Sequence, residues 1–399
     1  MTAPDRPHIR LRPNKPAQPL RFGAPWAYAD TLVLDRRARA LEAGTVVTLE
    51  DADRNPLGTA AFNPVSKIAA RMLDRDASTA IDRAWLAARL ARALTLREAL
   101  FDAPYYRLIH AEADGLPGVV IDRFGDVCVI QPNAAWAERL LPELVEALTE
   151  VTGVVAIYKN ASGRTRGLEG LDDASLVLTG DVPEMVDVPM NGATYRADLI
   201  TGQKTGLFYD QRPNHAFAAR LAKGGSVLDM FSHVGGFALA ALAGGATDAL
   251  AVDASATALE LAADGAAKMG VSDRLETRKG DAFAVLADLA ESGRKFETVI
   301  CDPPAFAPAK PALEAGLRAY ERIARLAAVL VAPGGYLVLC SCSHAADLAR
   351  FRTASLKGVG RAGRVAQIVS TGAAGPDHPV HPHLAESAYL KALFLRLDG

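Results

Sequence analysis

Apolar and polar positions follow a regular order in the second half of the chain, from about Ala193 onward. Short apolar runs typical of buried strands are each followed by a stretch whose apolar residues have helical spacing. The predicted strands are Ser226–Met230, Ala249–Val252, Leu275–Arg278, Thr298–Cys301 and Gly335–Cys340. Because strands that alternate with helices pair in parallel, this half predicts an α/β fold with a helix-wrapped parallel sheet.

The first half has a different pattern and divides into two smaller parts. The stretch from about Phe22 to Asp76 contains strand-like runs such as Thr45–Leu49 and Ile68–Met72 without a long helical period, which predicts a small β-barrel. Helical and strand patterns then alternate as far as about Pro189, which predicts a central α+β domain. The expected organisation is an arm at 1–21, a barrel at 22–78, a central domain at 79–190 and a cofactor-binding domain at 191–399.

Charge is unevenly distributed along the chain. The first 21 residues hold five Arg or Lys, one Asp and five prolines, which is typical of a flexible basic arm. The whole chain of 399 residues carries 44 basic and 46 acidic side chains, a net charge of −2. This balance excludes a protein that coats nucleic acid through bulk charge, but it allows a local basic patch.

Cysteine usage and hydropathy bear on the compartment. The four cysteines are Cys128, Cys301, Cys340 and Cys342, and none of them form a Cys-x-x-Cys pair. The first residues have no apolar segment typical of a secretory signal, so we expect free thiols and a cytoplasmic protein. No apolar run reaches the roughly 18 residues that would indicate a membrane span, so no membrane partner is expected.

A glycine-containing loop joins the first predicted strand of the α/β half to its helix, within Val227–Phe237. Glycine there lets the backbone approach a ligand beside a helix N-terminus. Acids mark the ends of the first three strands, namely Asp229, Asp253 and Asp281. An acid on the second strand can bind a ribose diol, whereas an acid on the first would repel a pyrophosphate.

These features favour S-adenosylmethionine (SAM) over a dinucleotide. The glycines do not follow the G-x-G-x-x-G spacing, and Asp229 suits the cationic methionine moiety of SAM. An acid at the end of a single strand is often only a helix cap, but three at successive strand ends are much harder to explain in that way. The sequence therefore predicts a SAM site that includes Phe231, Gly235 and Gly236.

The fourth and fifth strands end in groups that suit chemistry on a nucleic-acid base. Asp302 and the prolines after it offer acceptors to the N–H groups of a flat base, on which Phe306 could stack. Cys342 follows the fifth strand, next to a predicted helix start whose partial positive charge favours a thiolate. Alternatively, Asp302 only caps the chain where the prolines end the strand, and Cys342 is only a small buried apolar residue.

Together these residues resemble the large-subunit rRNA cytosine-C5 methyltransferases that carry an N-terminal PUA domain. The similar segments are Trp26 with Leu57–Ser66, Glu112–Gly118 with Asp122–Gly125, Gly202–Arg212, Val227–Phe237, Asp302–Phe306, Ser341–Ser343 and Asp377–Pro379 with Glu386–Lys391. The resemblance implies a PUA-like RNA-binding barrel, a central α+β domain and a Rossmann-like class I methyltransferase sheet. It also implies SAM as cofactor and large-subunit (23S) rRNA as partner. The sequence leaves the oligomeric state open, with a homodimer as one alternative.

The resemblance also extends the site. It adds Gln211, Arg212, Asp302 and Pro303 to the cofactor contacts, and it places Lys204, Pro304 and Phe306 at the substrate. Cytosine C5 is a poor nucleophile until a thiolate adds at C6, and the resemblance implies that Cys342 is this nucleophile and that Asp302 holds the ring edge. Ala305 stands where some RNA cytosine-C5 enzymes have a second cysteine, and no residue is assigned to remove the C5 proton.

Two other functions remain open alternatives. A methyltransferase of the same architecture could act on a guanine nitrogen, with Asp302 gripping the base and no thiol required. A non-catalytic RNA-binding ribosome-assembly factor could retain the fold, although the acids at the strand ends argue against it. Among the remaining cations, Arg164 and Arg166 are interpreted either as phosphate contacts or as solvated surface charge. The histidines His378, His381 and His383 are a weak signal for a metal site.

Overall fold

The computed structural model describes residues 5–202 and 206–398 of the chain. The chain divides into two compact units. The first unit comprises Met1–Glu184, Leu199–Gly206 and Asp377–Ala385, and the second comprises Met185–Asp198, Leu207–Pro376 and Glu386–Gly399. Within the described residues, no helix has the length and apolar character needed to cross a membrane.

The first part of the first unit is a twisted sheet with two short helices. Its strands and helices are β1 (His8–Arg10), α1 (Gln18–Arg21), β2 (Trp26–Ala27), α2 (Arg36–Arg39), β3 (Thr45–Glu50), β4 (Pro56–Phe62) and β5 (Ala70–Asp74). The strand order is β1-β3-β4-β5-β2, in which β1 is parallel to β3 and the other pairs are antiparallel. This agrees with the small β-rich domain predicted from the sequence.

The flexible arm predicted over residues 1–21 is wrong for the part that the structure describes. The residues of β1 pair with β3 in the register His8 to Thr48, and the side chains of Ile9, Leu11 and Leu20 are buried in the core of this sheet. The composition misled because basic and proline residues alternate here with apolar residues that point inward. The domain therefore begins near residue 8 and not at residue 22.

The second part of the first unit is the α+β domain predicted from the sequence. Its elements are α3 (Arg83–Leu100), β6 (Tyr105–His110), β7 (Val119–Phe124), β8 (Val127–Pro132), α4 (Ala135–Arg139), α5 (Leu141–Thr152), β9 (Ala156–Lys159), α6 (Arg164–Leu168) and β10 (Leu176–Thr179). The sheet order is β10-β9-β8-β7-β6. Asp82 caps α3 by accepting a hydrogen bond from Trp85 N at 2.9 Å. Helices α4 and α5 are separate, and Pro142 lies in the first turn of α5.

A segment distant in sequence completes this first unit. The guanidinium of Arg97 forms a buried bidentate ion pair with the carboxylate of Asp114, with two hydrogen bonds of 2.7 Å each. The same guanidinium donates to the carbonyl of Asp377 at 3.0 Å, and Arg107 N donates to the Asp377 carboxylate at 3.1 Å. The predicted domain at 191–399 thus differs from the structure, which assigns Asp377–Ala385 to the first unit.

The second unit begins with a hairpin that the predicted boundary at residue 190 divides. The hairpin consists of β11 (Met185–Met190) and β12 (Ala193–Asp198). The following elements are α7 (Arg212–Leu221), β13 (Ser226–Met230), α8 (Gly236–Ala243), β14 (Asp248–Asp253), α9 (Ala256–Lys268), β15 (Leu275–Lys279), α10 (Ala282–Glu291), β16 (Phe296–Cys301), α11 (Leu313–Ala328), β17 (Val331–Ser341), α12 (Leu348–Arg361), β18 (Ala366–Gly372) and β19 (Lys391–Leu397).

The main sheet of the second unit has the order β15-β14-β13-β16-β17-β19-β18. The strands from β13 to β17 are parallel, as the alternating pattern predicted, and β19 is antiparallel to β17 and to β18. The chain winds outward in both directions from β13, so the crevice for a ligand lies at the carboxyl ends of β13 and its neighbours β14 and β16.

We expect the Ile9→Ala variant to destabilise the first unit by about 2–5 kcal/mol, because the substitution leaves a cavity beneath β1. Urea unfolding with hydrogen exchange of the β3 amides measures this loss. As a control, Lys15→Ala removes only a surface pairing with Asp30 at 3.6 Å, so the free energy of unfolding should change by less than about 0.5 kcal/mol. Equal stability of Ile9→Ala and the parent protein would mean that β1 does not contribute to the core.

Candidate active site

The loop between β13 and α8 is held in an unusual backbone conformation. Phe231 and His233 have φ values of 62° and 50°, in the left-handed region that non-glycine residues rarely adopt, and Gly235 has a φ of 80°. Each such non-glycine residue costs of order 1–3 kcal/mol. At Gly236 an added methyl group would lie 2.9 Å from the imidazole of His215, so this position requires glycine. The loop thus keeps a strained shape at the carboxyl edge of the sheet.

The carboxyl group of Asp229 lies beneath this loop and is fully buried. Its Oδ2 accepts a hydrogen bond from Ala238 N at 2.9 Å, while its Oδ1 has no hydrogen-bond partner among the described residues. Burial, which is the largest effect, and the nearby charges of Asp302 and Asp253 together raise the pKa of Asp229 to about 8. A buried carboxyl oxygen with unused acceptor capacity fits the cationic part of SAM, which would satisfy both the charge and the hydrogen bond.

The acids on the next two strands have different surroundings. Asp253, the last residue of β14, is half-buried; its Oδ2 accepts from His233 N at 2.9 Å and its Oδ1 from Ser255 N at 2.8 Å. Asp253 therefore also fixes the strained loop. Asp281 is exposed and accepts a hydrogen bond from Ala284 N at 3.0 Å, as the cap of α10. Asp281 is therefore a helix cap in this structure. A contact between Asp281 and the cofactor stays a prediction.

The loop after β16 brings Asp302 to the same edge. Asp302 N donates to Met230 O at 3.3 Å, and Oδ2 of Asp302 accepts from Gln211 Nε2 at 2.9 Å. The side chain of Gln211 is buried and also accepts from Asn214 Nδ2 at 2.6 Å. Two residues that the sequence assigns to the cofactor site from distant segments, Gln211 and Asp302, are therefore in direct contact.

Other predicted residues lie around this contact. The guanidinium of Arg212 lies over the ring of Tyr209, 5.4 Å from its centroid. Pro303 is buried and Pro304 is exposed. The ring of Phe306 lies 5.0 Å from that of Tyr320, which gives it a packing contact inside the protein, and its stacking on a base stays a prediction.

The loop after β17 carries Cys342 directly beyond the end of the strand. Its neighbours Ser341 and Ser343 are both buried and both hydrogen-bond to the hydroxyl of Tyr320, at 2.8 and 2.7 Å. Ser343 Oγ also accepts from Ala307 N at 2.9 Å, so the loops after β16 and β17 are joined to each other. The half-buried thiol of Cys342 is thereby fixed beside the loop that carries Asp302.

The remaining cysteines, Cys128, Cys301 and Cys340, are buried in sheets. Burial raises the pKa of Cys128 to about 12, and it raises the pKa values of Cys301 and Cys340 as well. These three thiols therefore stay protonated and shielded from solvent. Of the four cysteines, all of which the structure describes, Cys342 is the accessible one.

The expected helix start beside Cys342 is wrong. Helix α12 begins at Leu348, and Asp347 caps it by accepting from Arg350 N at 2.8 Å. The cation near the thiol is instead the ammonium of Lys391, whose Nζ donates to Ser343 O at 2.6 Å. The sequence contains no local signal for this contact, because it arises from the antiparallel pairing of β19 with β17.

The other cations singled out in the sequence have different outcomes. Lys204 lies outside the described residues. Arg166 is neither solvated nor a phosphate contact, because its buried guanidinium binds Glu138 at 2.9 Å and Asp172 at 3.2 Å inside the first unit. In the part of the chain that the structure describes, no three His, Cys, Asp or Glu side chains form a group that could hold a metal ion, His378, His381 and His383 included.

The reversal of winding at β13, the strained loop and the buried acid define an α/β enzyme built to bind a nucleoside cofactor. The sequence pattern of S-adenosylmethionine-dependent methyltransferases matches residues 135–396, and that of PUA-like domains matches residues 9–75. The chain belongs to the S-adenosylmethionine-dependent methyltransferase family, and SAM is its cofactor. The PUA-like match begins within β1, in agreement with the place of that strand in the sheet.

Relatives are similar over almost the whole chain. Ribosomal RNA large subunit methyltransferase I of Shewanella denitrificans is 35% identical over 394 residues, 98% of this chain and 99% of the relative. The protein of the same name in Aliivibrio fischeri is 36% identical over 384 residues, 95% of this chain and 96% of the relative. A ribosomal RNA large subunit methyltransferase of Deinococcus radiodurans is 34% identical over 413 aligned positions, 100% of both chains.

Solved structures share the fold. A candidate SAM-dependent methyltransferase from Streptococcus mutans superposes with a TM-score of 0.81 at 20% identity, covering 98% of this chain and 100% of that one. A candidate methyltransferase in complex with SAH gives the same TM-score of 0.81 at 20% identity, covering 98% of this chain and 99% of that one. At this identity the likeness concerns the fold alone.

The Asp229→Asn variant should gain stability relative to the parent protein as the pH rises. The carboxyl group loses its proton near pH 4 in the unfolded chain and at about pH 8 in the folded chain, so folding of the parent weakens across this interval. The amide has no such titration. The free energy of unfolding of Asp229→Asn minus that of the parent protein should therefore increase by up to about 1.4 kcal/mol per pH unit. Chemical denaturation from pH 5 to pH 8 measures this increase.

The matched control is Asp281→Asn, because Asp281 is an exposed cap and its carboxyl is not buried. Its stability curve should run parallel to that of the parent protein across the same pH range. A constant difference between Asp229→Asn and the parent would mean that the Asp229 carboxyl is not held protonated by burial.

Proposed function

We propose that this protein transfers a methyl group from SAM to C5 of a cytosine in large-subunit (23S) rRNA through a covalent adduct with Cys342. The observation that carries the proposal is the accessible thiol of Cys342 on a loop that Ser343 joins to the Asp302 loop by the 2.9 Å hydrogen bond from Ala307 N. The names of the relatives support rRNA of the large subunit as the substrate class. We infer a cytoplasmic location from that substrate.

The chemistry requires a nucleophile because C5 of cytosine does not attack a methyl group unaided. The Cys342 thiolate adds to C6, and the electron pair of the C5–C6 double bond moves into the ring, where C5 gains nucleophilic character. The carboxyl group of Asp302 hydrogen-bonds the N3 and N4 edge of the base and so stabilises the charge that develops there. The contact from Gln211 holds Asp302 in place for this role.

When bound, SAM supplies a methyl group on a positively charged sulfur, which accepts the electron pair of the broken bond. A bond forms between C5 and the methyl carbon. The C5 proton then leaves to water, its electron pair restores the C5–C6 double bond, and the C6–S bond breaks to regenerate the Cys342 thiolate. The strained loop with Phe231, Gly235 and Gly236, together with Asp229, Asp253, Asp281, Arg212 and Pro303, would hold the cofactor. Pro304, Phe306 and Lys204 would contact the substrate.

Cys342→Ala should abolish methyl transfer to rRNA while leaving SAM binding unchanged, because the variant lacks the nucleophile and keeps the cofactor residues. Incorporation of labelled methyl groups into rRNA from cells without the gene measures turnover, and bisulfite sequencing identifies the modified cytosine. An rRNA fragment with 5-fluorocytosine at that position should form a denaturation-resistant complex with the parent protein, since fluorine cannot leave as the proton does.

Cys340→Ala is the matched control, because Cys340 is a buried strand residue two positions away, and its variant should remain active. Full activity of Cys342→Ala would contradict the covalent mechanism and favour transfer to a guanine nitrogen. A parent protein that does not bind SAM in calorimetry would instead favour a non-catalytic RNA-binding factor.

Binding of rRNA should use exposed arginines of the PUA-like domain. Several charges of the predicted arm are occupied within the protein, since Arg12 donates to Leu32 O at 3.0 Å and Arg21 pairs with Asp51 at 2.7 Å. Arg36 and Arg37, on α2, are exposed. Replacing both by Ala should weaken binding of an rRNA fragment and lower the slope of log K against log salt by up to about 2, as measured by filter binding. An unchanged slope would exclude phosphate contacts by these two residues.

A further inference from the structure

Lys391 is a buried lysine that contacts the residues on either side of the candidate nucleophile, Cys342. It is the first residue of β19 and lies directly opposite Ser341, the last residue of β17. Its Nζ donates to the carbonyl of Ser343 at 2.6 Å, and only 7% of the residue is exposed. Lys391 thus pairs with Ser341 across the two strands and hydrogen-bonds to Ser343, and Cys342 is the one residue between these two serines. The ammonium group is therefore held against the loop that carries the thiol.

The charged and titratable groups around this ammonium come from the segment after β17, the cap of α12 and helix α11. Cys342 from the loop after β17 and Asp347 from the cap of α12 both raise the pKa of Lys391, although burial is the larger effect and lowers it. Burial raises the pKa of Tyr320, on α11, so its hydroxyl remains neutral while it binds both serines. His344, next to the loop, contacts the carbonyl of Glu386 at 3.1 Å through Nδ1.

Electrostatics explain why a thiolate fits here. An ammonium buried against a neutral carbonyl is costly unless a negative charge lies close to it. Asp347 is exposed, so solvent screens its attraction, whereas Cys342 is half-buried and also interacts electrostatically with the ammonium. A thiolate at Cys342 would supply the missing negative charge, and the same attraction would make the thiol easier to deprotonate.

We propose that Lys391 is a positioning residue that fixes the Cys342 loop and stabilises the Cys342 thiolate, and this rests on the proposed function of Cys342 as nucleophile. The proton of the Cys342 S–H group leaves to water. The Lys391 ammonium keeps its three protons and forms no bond to the substrate. Its contribution is the electrostatic attraction that keeps the thiol ionised near neutral pH.

Alkylation of Cys342 by iodoacetamide as a function of pH tests this directly on the full-length protein without SAM or RNA. Mass spectrometry of the Cys342 peptide follows the reaction, and the other three cysteines are shielded by burial. In the parent protein the midpoint of alkylation should lie below the ordinary cysteine pKa of about 8.5. In Lys391→Met it should rise by at least about one pH unit, and Lys391→Arg should restore most of the shift, because the charge returns.

Lys295→Met is the matched control, since Lys295 also donates to a backbone carbonyl, that of Val329, but lies at a different edge of the sheet. Its alkylation midpoint should equal that of the parent. A Lys391→Met protein that unfolds with the parent's thermal profile and shows the parent's alkylation midpoint would overturn the proposal. A parent midpoint at or above about 8.5 would overturn it without any variant.

These outcomes are separable from failure of the proposed function. If Cys342→Ala keeps methyl transfer while Lys391→Met still shifts the alkylation midpoint, the covalent mechanism is wrong and the pairing of Lys391 with the thiolate stands. If Cys342→Ala is inactive and the midpoint does not move, the nucleophile stands and the role of Lys391 is overturned.

Discussion

The hydroxyl of Tyr320 joins the two loops on which the chemistry depends. Tyr320 extends from α11 into the core with only 1% of its surface exposed, and its oxygen lies between the hydroxyls of Ser341 and Ser343. Ser343 in turn binds the backbone of the loop after β16. Because buried polar groups must be paired, these bonds permit few arrangements of the two loops. The position of Cys342 beside the Asp302 loop is therefore set by the core.

The cofactor side of the site is built at the expense of stability. Two non-glycine residues of the loop between β13 and α8 are held in the left-handed region, and one oxygen of the buried Asp229 carboxyl has no hydrogen-bond partner among the described residues. Each feature would be removed if stability alone mattered. Both are compensated by the apolar core of the sheet beneath them, in which strand residues such as Leu228 and Val252 are fully buried. Strain concentrated at one edge of an otherwise regular sheet is typical of a preorganised binding site.

The sequence predicted those parts of the structure that follow from local periodicity. The strand Ser226–Met230 has the predicted bounds, and Asp229, Asp253 and Asp302 lie near one another because parallel strands end at one edge. The errors concern contacts between distant segments. The parallel pairing of β1, the insertion of Asp377 beneath Arg97, the burial of Arg166 and the approach of Lys391 to Cys342 each depend on a partner far along the chain. Local composition carries no information about such partners, and charged residues are the ones it misassigns most, because they are mostly exposed.

The four cysteines illustrate how the fold gives one residue type two different properties. Cys301 and Cys340 lie inside neighbouring parallel strands, where burial raises their pKa values and keeps them as inert thiols. Cys342 lies two residues beyond Cys340, past the end of the strand, where solvent reaches it and a lysine from the antiparallel strand approaches. Lys391 reaches Cys342 because β19 is antiparallel to β17, so the first residue of β19 lies at the carboxyl end of β17. If β19 were parallel to β17, Lys391 would lie at the opposite edge of the sheet. The direction of one strand at the side of the sheet thus determines which charge faces the thiol.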